Sequence, residues 1–127
     1  MMLDDIAAYL AAHGCGTVGT TIFKGNRPPT PDQLIALYQY AGEVPALING
    51  IKMEYPGLQI WSRALTEPVA ITLLDSVVDA LHGLTEYSTA YARYLCLEAR
   101  SSPMDMGQDE NGRIEYVVNF RVIMARL

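Results

Sequence analysis

A chain of 127 residues, half of them hydrophobic and 18% charged, has room for one domain with an ordinary buried core. Its formal net charge of −5 excludes a general nucleic-acid binder, which needs clustered Lys and Arg to displace counterions from phosphates. It does not exclude a surface that nucleic acid slides past without sticking, because like charge repels it.

Residues 3–12, LDDIAAYLAA, place Leu3, Ile6, Ala7 and Leu10 at helical spacing. Asp4 and Asp5 fall in the first turn, where the helix dipole favours negative charge, and His13-Gly14 supplies the stop. Thr17–Phe23 is β-branched and reads as a strand. GNRPPTPD, 25–32, is a connection kept extended by its prolines. LIALYQY, 34–40, is a strong apolar strand. AGEVPALINGIKMEYPG, 41–57, reads as an irregular excursion because Pro45, Pro56 and three glycines interrupt it. LQIWSRAL, 58–65, returns as a strand.

Thr66-Glu67-Pro68 opens a second helix with an N-cap hydroxyl and an early proline. It runs to about His82, with Ala70, Leu74, Val77, Val78 and Leu81 on one stripe and Gly83 as its stop. YARYLCLEAR, 91–100, is a further strand. In the last strand, 113–125, Ile114, Tyr116, Val118, Phe120, Val122 and Met124 share one face. The order predicts an α+β fold: a mostly antiparallel or mixed β-sheet with two main helices packed on one face, as a single domain over 1–127.

The chemical motifs are weak. Aligning MGQDENGR with a calcium loop on Gly112 puts Gly107 and Val118 where carboxylates are required, so Asn111-Gly112 is read as a tight hairpin turn with both residues tolerating positive φ. GCGTVG, 14–19, fits a dinucleotide fingerprint in letters, but follows a helix and precedes a strand, the reverse of the required context. Asp75, Asp79 and His82 share one helix face, which could bring three metal ligands together, but a solvated polar face explains it with no extra assumption, since a three-ligand site draws on other elements; these three should then be exposed. Gly14 between His13 and Cys15 gives no reason for a thiol–imidazole pair. No nucleophile elbow, zinc-protease motif or P-loop is present. No catalytic, cofactor-binding or metal-binding residue is therefore assigned. Cys15 and Cys96 make no disulfide framework and read as buried free thiols of a reducing compartment. No apolar run reaches membrane-spanning length, and the N-terminus lacks a leader's basic start and apolar core, so a soluble intracellular protein is expected.

Several segments together resemble the minor capsid and tail terminator family of long-tailed bacteriophages. The resemblance rests on Pro31-Asp32 leading into LIALYQYAGEVP, on QIWSRA, and on MGQDENGR before the YVVNFRV strand, and it covers nearly the whole chain. It implies a non-enzymatic virion protein, without cofactor, made in the host bacterial cytoplasm and built into the head–tail junction. It implies a self-assembled ring, typically a hexamer, that caps the head-proximal end of the tail tube, stops tube polymerisation and offers the head-docking surface. The implied partners are further copies of the chain, the tail tube protein and head-completion or connector proteins, with phage DNA passing through the lumen unbound and no membrane contact. Candidate contact residues are Arg27 in the Pro-rich loop, Glu43 in the excursion, Trp61 and Arg63 on the polar face of the middle strand, and Glu110, Arg113, Glu115 and Arg121 along the last hairpin. The alternatives are a small non-enzymatic protein- or ligand-binding domain using the same sheet, and an enzyme acting through His82 with Asp79.

Overall fold

In the computed structural model, which describes residues 1–127, the first helix is α1 (Met2–Ala12). It buries the expected stripe of Leu3, Ile6, Ala7 and Leu10. Its two acids do more than answer the helix dipole. Asp4 pairs with Lys24 on β1 (Ile22–Lys24), and Asp5 accepts hydrogen bonds from Thr89 Oγ1 at 2.8 Å and Tyr94 Oη at 2.6 Å. Burial, and then that bond to Asp5, push the Tyr94 phenol far above its ordinary pKa. Gly14 follows the helix at φ +79°, where a side chain is strained.

The expected strand at 17–23 is shorter than its composition predicts. Thr17–Thr20 form a turn, and only Ile22–Lys24 pair, parallel to β2 (Leu34–Ile48). The sheet continues antiparallel through β3 (Ile51–Ala64), β7 (Ile114–Arg126), β5 (Ala92–Ala99) and β4 (Tyr87–Ser88). The seventh strand, β6 (Met104–Gln108), pairs with the first half of β7. This is the expected α+β arrangement with a mixed sheet.

The second helix, α2 (Glu67–Leu81), buries Ala70, Leu74, Val77 and Leu81, with Pro68 in its first turn. Thr66 stands at the N-cap, but its hydroxyl makes no capping bond, contrary to expectation. Both helices pack on one face, against Ile35, Leu37, Leu58, Ile60 and the alternating Tyr116, Val118, Phe120, Val122 and Met124. Tyr116 Oη donates to Glu67 Oε1, and that bond raises the phenol to about 12.

The excursion read at 41–57 is regular. β2 and β3 are one long hairpin, paired from Leu34↔Arg63 to Ile48↔Ile51, with register shifts beside Glu43. Asn49 at φ +50° and Gly50 at φ +78° make its two-residue turn. The residues that looked like breakers serve the hairpin. A Cβ on Gly42 would meet the Tyr55 carbonyl, and one on Gly57 would meet the Tyr40 ring. Pro45 lies where β2 has no neighbour on its outer edge, since β1 pairs only with Ile35–Leu37. The distal part of the hairpin forms an arm whose side chains are largely in solvent, Val44 at 84% and Leu47 at 71% exposure.

Candidate assembly surface

The sheet face away from the helices carries the polar residues of β3 and β7. The periodicity of a strand puts Gln59, Trp61 and Arg63 on this side, opposite Asn119, Val117 and Glu115. They form a chain of contacts: Trp61 Nε1 donates to Gln59 Oε1 at 2.7 Å, and Gln59 Nε2 donates to Asn119 Oδ1 at 3.1 Å. The Pro-rich loop 25–32 folds over them. Its Arg27 places the guanidinium carbon 3.7 Å from the Trp61 ring centroid and an Nη1 atom 3.2 Å from Glu115 Oε2. That Nη1 makes an ion pair without hydrogen-bond alignment.

Two arginines hold this loop from below. Arg63 is 3% exposed and Arg113 is 5% exposed. Arg63 Nη2 donates to the carbonyls of Pro28 at 2.6 Å and Pro31 at 2.7 Å, and its Nε reaches the Asp32 carbonyl at 3.4 Å. Arg113 donates from Nη1 to the Pro29 carbonyl and from Nε to Asp109 Oδ2 at 2.8 Å. Prolines lack an N–H, so the chain here cannot pair as a strand, and the planar guanidinium forks satisfy its carbonyls instead. Burial, and then the charge of Arg113, lower the Arg63 pKa, though a guanidinium remains protonated.

Asp109 organises the turn between β6 and β7. Its Oδ1 accepts from the backbone N–H of Asn111 at 3.0 Å and of Arg113 at 2.9 Å. Burial pushes its carboxyl up, and hydrogen bonds from Arg113 and Asn111 outweigh that and hold it below the usual carboxylate range. The hairpin expected at DENG is present, but only Gly112, at φ +75°, takes the left-handed conformation, and the corner lies at Glu110-Asn111.

The candidate contact residues fall into two groups. Arg27, Arg63, Glu110, Arg113 and Glu115 line one open polar cleft of about 310 Å³, with Trp61 beneath Arg27. Glu43 and Arg121 meet on the other part of the face, Arg121 Nη2 lying 3.3 Å from Glu43 and its Nη1 3.5 Å from Glu98. Arg63 and Arg113 are not free to reach another molecule directly; their guanidinium groups set the loop that does face outward. Glu98 and Asn119, which complete these groups, are not singled out by the sequence, because their partners Arg121 and Gln59 lie on other strands; Asp109 bonds within its own turn, to Asn111 and Arg113.

The weaker motifs separate. Asp75, Asp79 and His82 are exposed as expected, and His82 Nδ1 accepts the Ala99 backbone N–H at 2.9 Å, fastening the end of α2 to β5. His13 stacks on Tyr9 at 4.0 Å, and its Nδ1 lies 2.8 Å from the Tyr9 carbonyl, so its ring is engaged away from Cys15. The two cysteines are free but half-buried, more open than the sequence reading held.

Residues 9–126 match the sequence model of a family described as bacteriophage tail terminator protein. The chain belongs to the bacteriophage tail terminator family. Among solved structures it shares its fold with a chain in the virion of a native gene transfer agent particle. The TM-score is 0.63, over 94% of this chain and 84% of that one, at 17% identity. No curated protein matches it in sequence. As a tail terminator it is a structural component of the virion, acting in tail completion. No helix is long and apolar enough to cross a membrane.

Proposed function

We propose that this tail terminator assembles into a ring, six copies by the family's habit, that caps the head-proximal end of the tail tube. The ring ends tube polymerisation and presents the surface on which the head docks. It acts without catalysis or cofactor, at the head–tail junction, as a minor component made in the host bacterial cytoplasm. Its partners are its own copies, the tail tube protein and head-completion or connector proteins. The observation that carries the reading, beyond family membership, is the β2–β3 arm. A single copy leaves large apolar side chains in water there, as suits a chain completed by assembly.

The charge distribution supports passage of DNA through the ring without binding. α1 and α2 hold Asp4, Asp5, Glu67, Asp75 and Asp79 and no Lys or Arg. On the sheet face, Arg27 and Arg121 are each matched by a carboxylate within 3.5 Å. Neither layer offers the clustered free cations that phosphate binding needs.

Light scattering on the purified chain, with and without polymerised tail tubes, tests the proposal. A ring mass, in solution or gained on the tube end with tube growth arrested, is expected. A monomer or dimer that ignores tubes refutes it and leaves a small binding domain.

A further inference from the structure

The arm and the helix layer carry two apolar surfaces that do not meet within one chain. On the arm, Val44, Leu47, Ile48 and Ile51 are exposed. Leu47 is paired across the hairpin with Lys52, so an apolar anchor and a cation share one face of the tip. On the body, a groove runs between α2 and the segment entering β2. Val69 and Leu73, one turn apart on α2, form one wall, Pro31 and Leu34 lie opposite, and Cys15 lines one end. Asp75 and Asp79 stand exposed on the same helix, and neither pairs with any Lys or Arg of its own chain.

The arm cannot fill this groove in its own molecule. Roughly 40 Å of extended strand separates Leu47 from Leu34, and pairing with β3 and β7 holds the hairpin away from the helices up to Lys52↔Arg126. The groove offers apolar walls rimmed by Thr72 and Ser76, and the unpaired acids lie outside that lining, on the solvent side of the same helix; the arm offers apolar side chains beside a lysine long enough to reach past the rim. Two complementary but different patches on one chain define a head-to-tail contact, and repetition of such a contact closes a ring when the rotation allows.

We propose that the arm of one copy seats Leu47 in the α2 groove of the next, with Lys52 facing Asp75 and Asp79. The inference rests on the ring reading and names the contact that builds it. Apolar burial supplies the attraction, and the lysine and aspartates fix which way the hairpin lies.

Two experiments test it, each on the full chain at concentrations that assemble, with tail tubes added if the free chain is monomeric. In the first, Leu47→Cys in a Cys96→Ala background is treated with a short bis-maleimide. The expected product is a covalent ladder of this chain, lost when Cys15→Ala is added. In the second, Leu47→Asp and Val69→Asp are made separately; both sites are exposed, and unchanged thermal unfolding shows that the fold is intact. Each variant alone is expected to need at least tenfold higher concentration to assemble. Mixed together they should give heterodimers and no rings, because each pair keeps only one sound contact. Rings formed by Leu47→Asp as readily as by the unaltered chain overturn the arm contact and leave the ring reading standing. A cross-link from residue 47 to the tube protein, with none between copies, also overturns it. If even the unaltered chain forms no ring with or without tubes, the ring reading itself falls, and the arm contact with it.

Discussion

Arg63→Met removes the guanidinium that holds the Pro-rich loop while keeping much of the side-chain volume. Two short bonds are lost, to the Pro28 carbonyl at 2.6 Å and the Pro31 carbonyl at 2.7 Å, beside a weaker one at 3.4 Å to Asp32. Hydrogen bonds from a charged donor contribute about 1.5–3 kcal/mol each. The long third bond adds little, and the loop lies at the surface, where released carbonyls find water. The net loss is therefore set near the lower end, about 3 kcal/mol. A domain of this size has a total stability of about 5–15 kcal/mol, so the variant folds with much of its margin gone. Urea denaturation followed by circular dichroism should show the midpoint falling with an unchanged slope, and hydrogen exchange should speed up in and around residues 25–32. Arg63→Lys should recover only part of the loss: one ammonium can serve the two carbonyls that Nη2 holds, but it lacks the planar group's fixed direction and the second donor that Nε offers Asp32. A loss below about 1 kcal/mol would refute the clamp, because even one such bond exceeds it.

Other outcomes follow from the same contacts. Arg27→Ala should red-shift the emission of Trp61, the single tryptophan, and raise its quenching by iodide, with a stability loss of about 1 kcal/mol from the lost cation–π contact; unchanged emission would mean that the loop does not cover the ring in solution. Gly42→Ala should unpair the arm beside Tyr55, giving faster exchange at 40–55 while the core stays protected. Asp109 is held below its ordinary pKa, so its contribution is present above the unfolded value near 3.9 and is lost as pH falls through the lower folded value. The difference in urea midpoint between the unaltered chain and Asp109→Asn should accordingly shrink below about pH 4. Tyr116 is shifted the other way, to about 12, so its contribution is complete below the unfolded value near 10 and fades as pH rises toward 12. The gap between the unaltered chain and Tyr116→Phe should close over that alkaline window.

By itself the sequence determined both helices, the buried face of β7 and the polar face of β3. Each is a local periodic pattern: Leu3, Ile6 and Leu10 at helical spacing, Tyr116 to Met124 at strand spacing. Asn-Gly marks a tight turn wherever strands flank it, and the signal was present at Asn49-Gly50. Pro45, Pro56 and the neighbouring glycines hid it, because a proline bars a strand only where its missing N–H would be needed. Which edge of β2 stays unpaired depends on how far β1 runs beside it, and only the folded chain decides that. The same holds for Arg63 and Arg113. Spacing put Arg63 on the open face and Arg113 at the hairpin, but their burial depends on a loop more than thirty residues away in sequence folding back over them. Local pattern says which way a side chain points; tertiary structure decides what comes to lie on top of it.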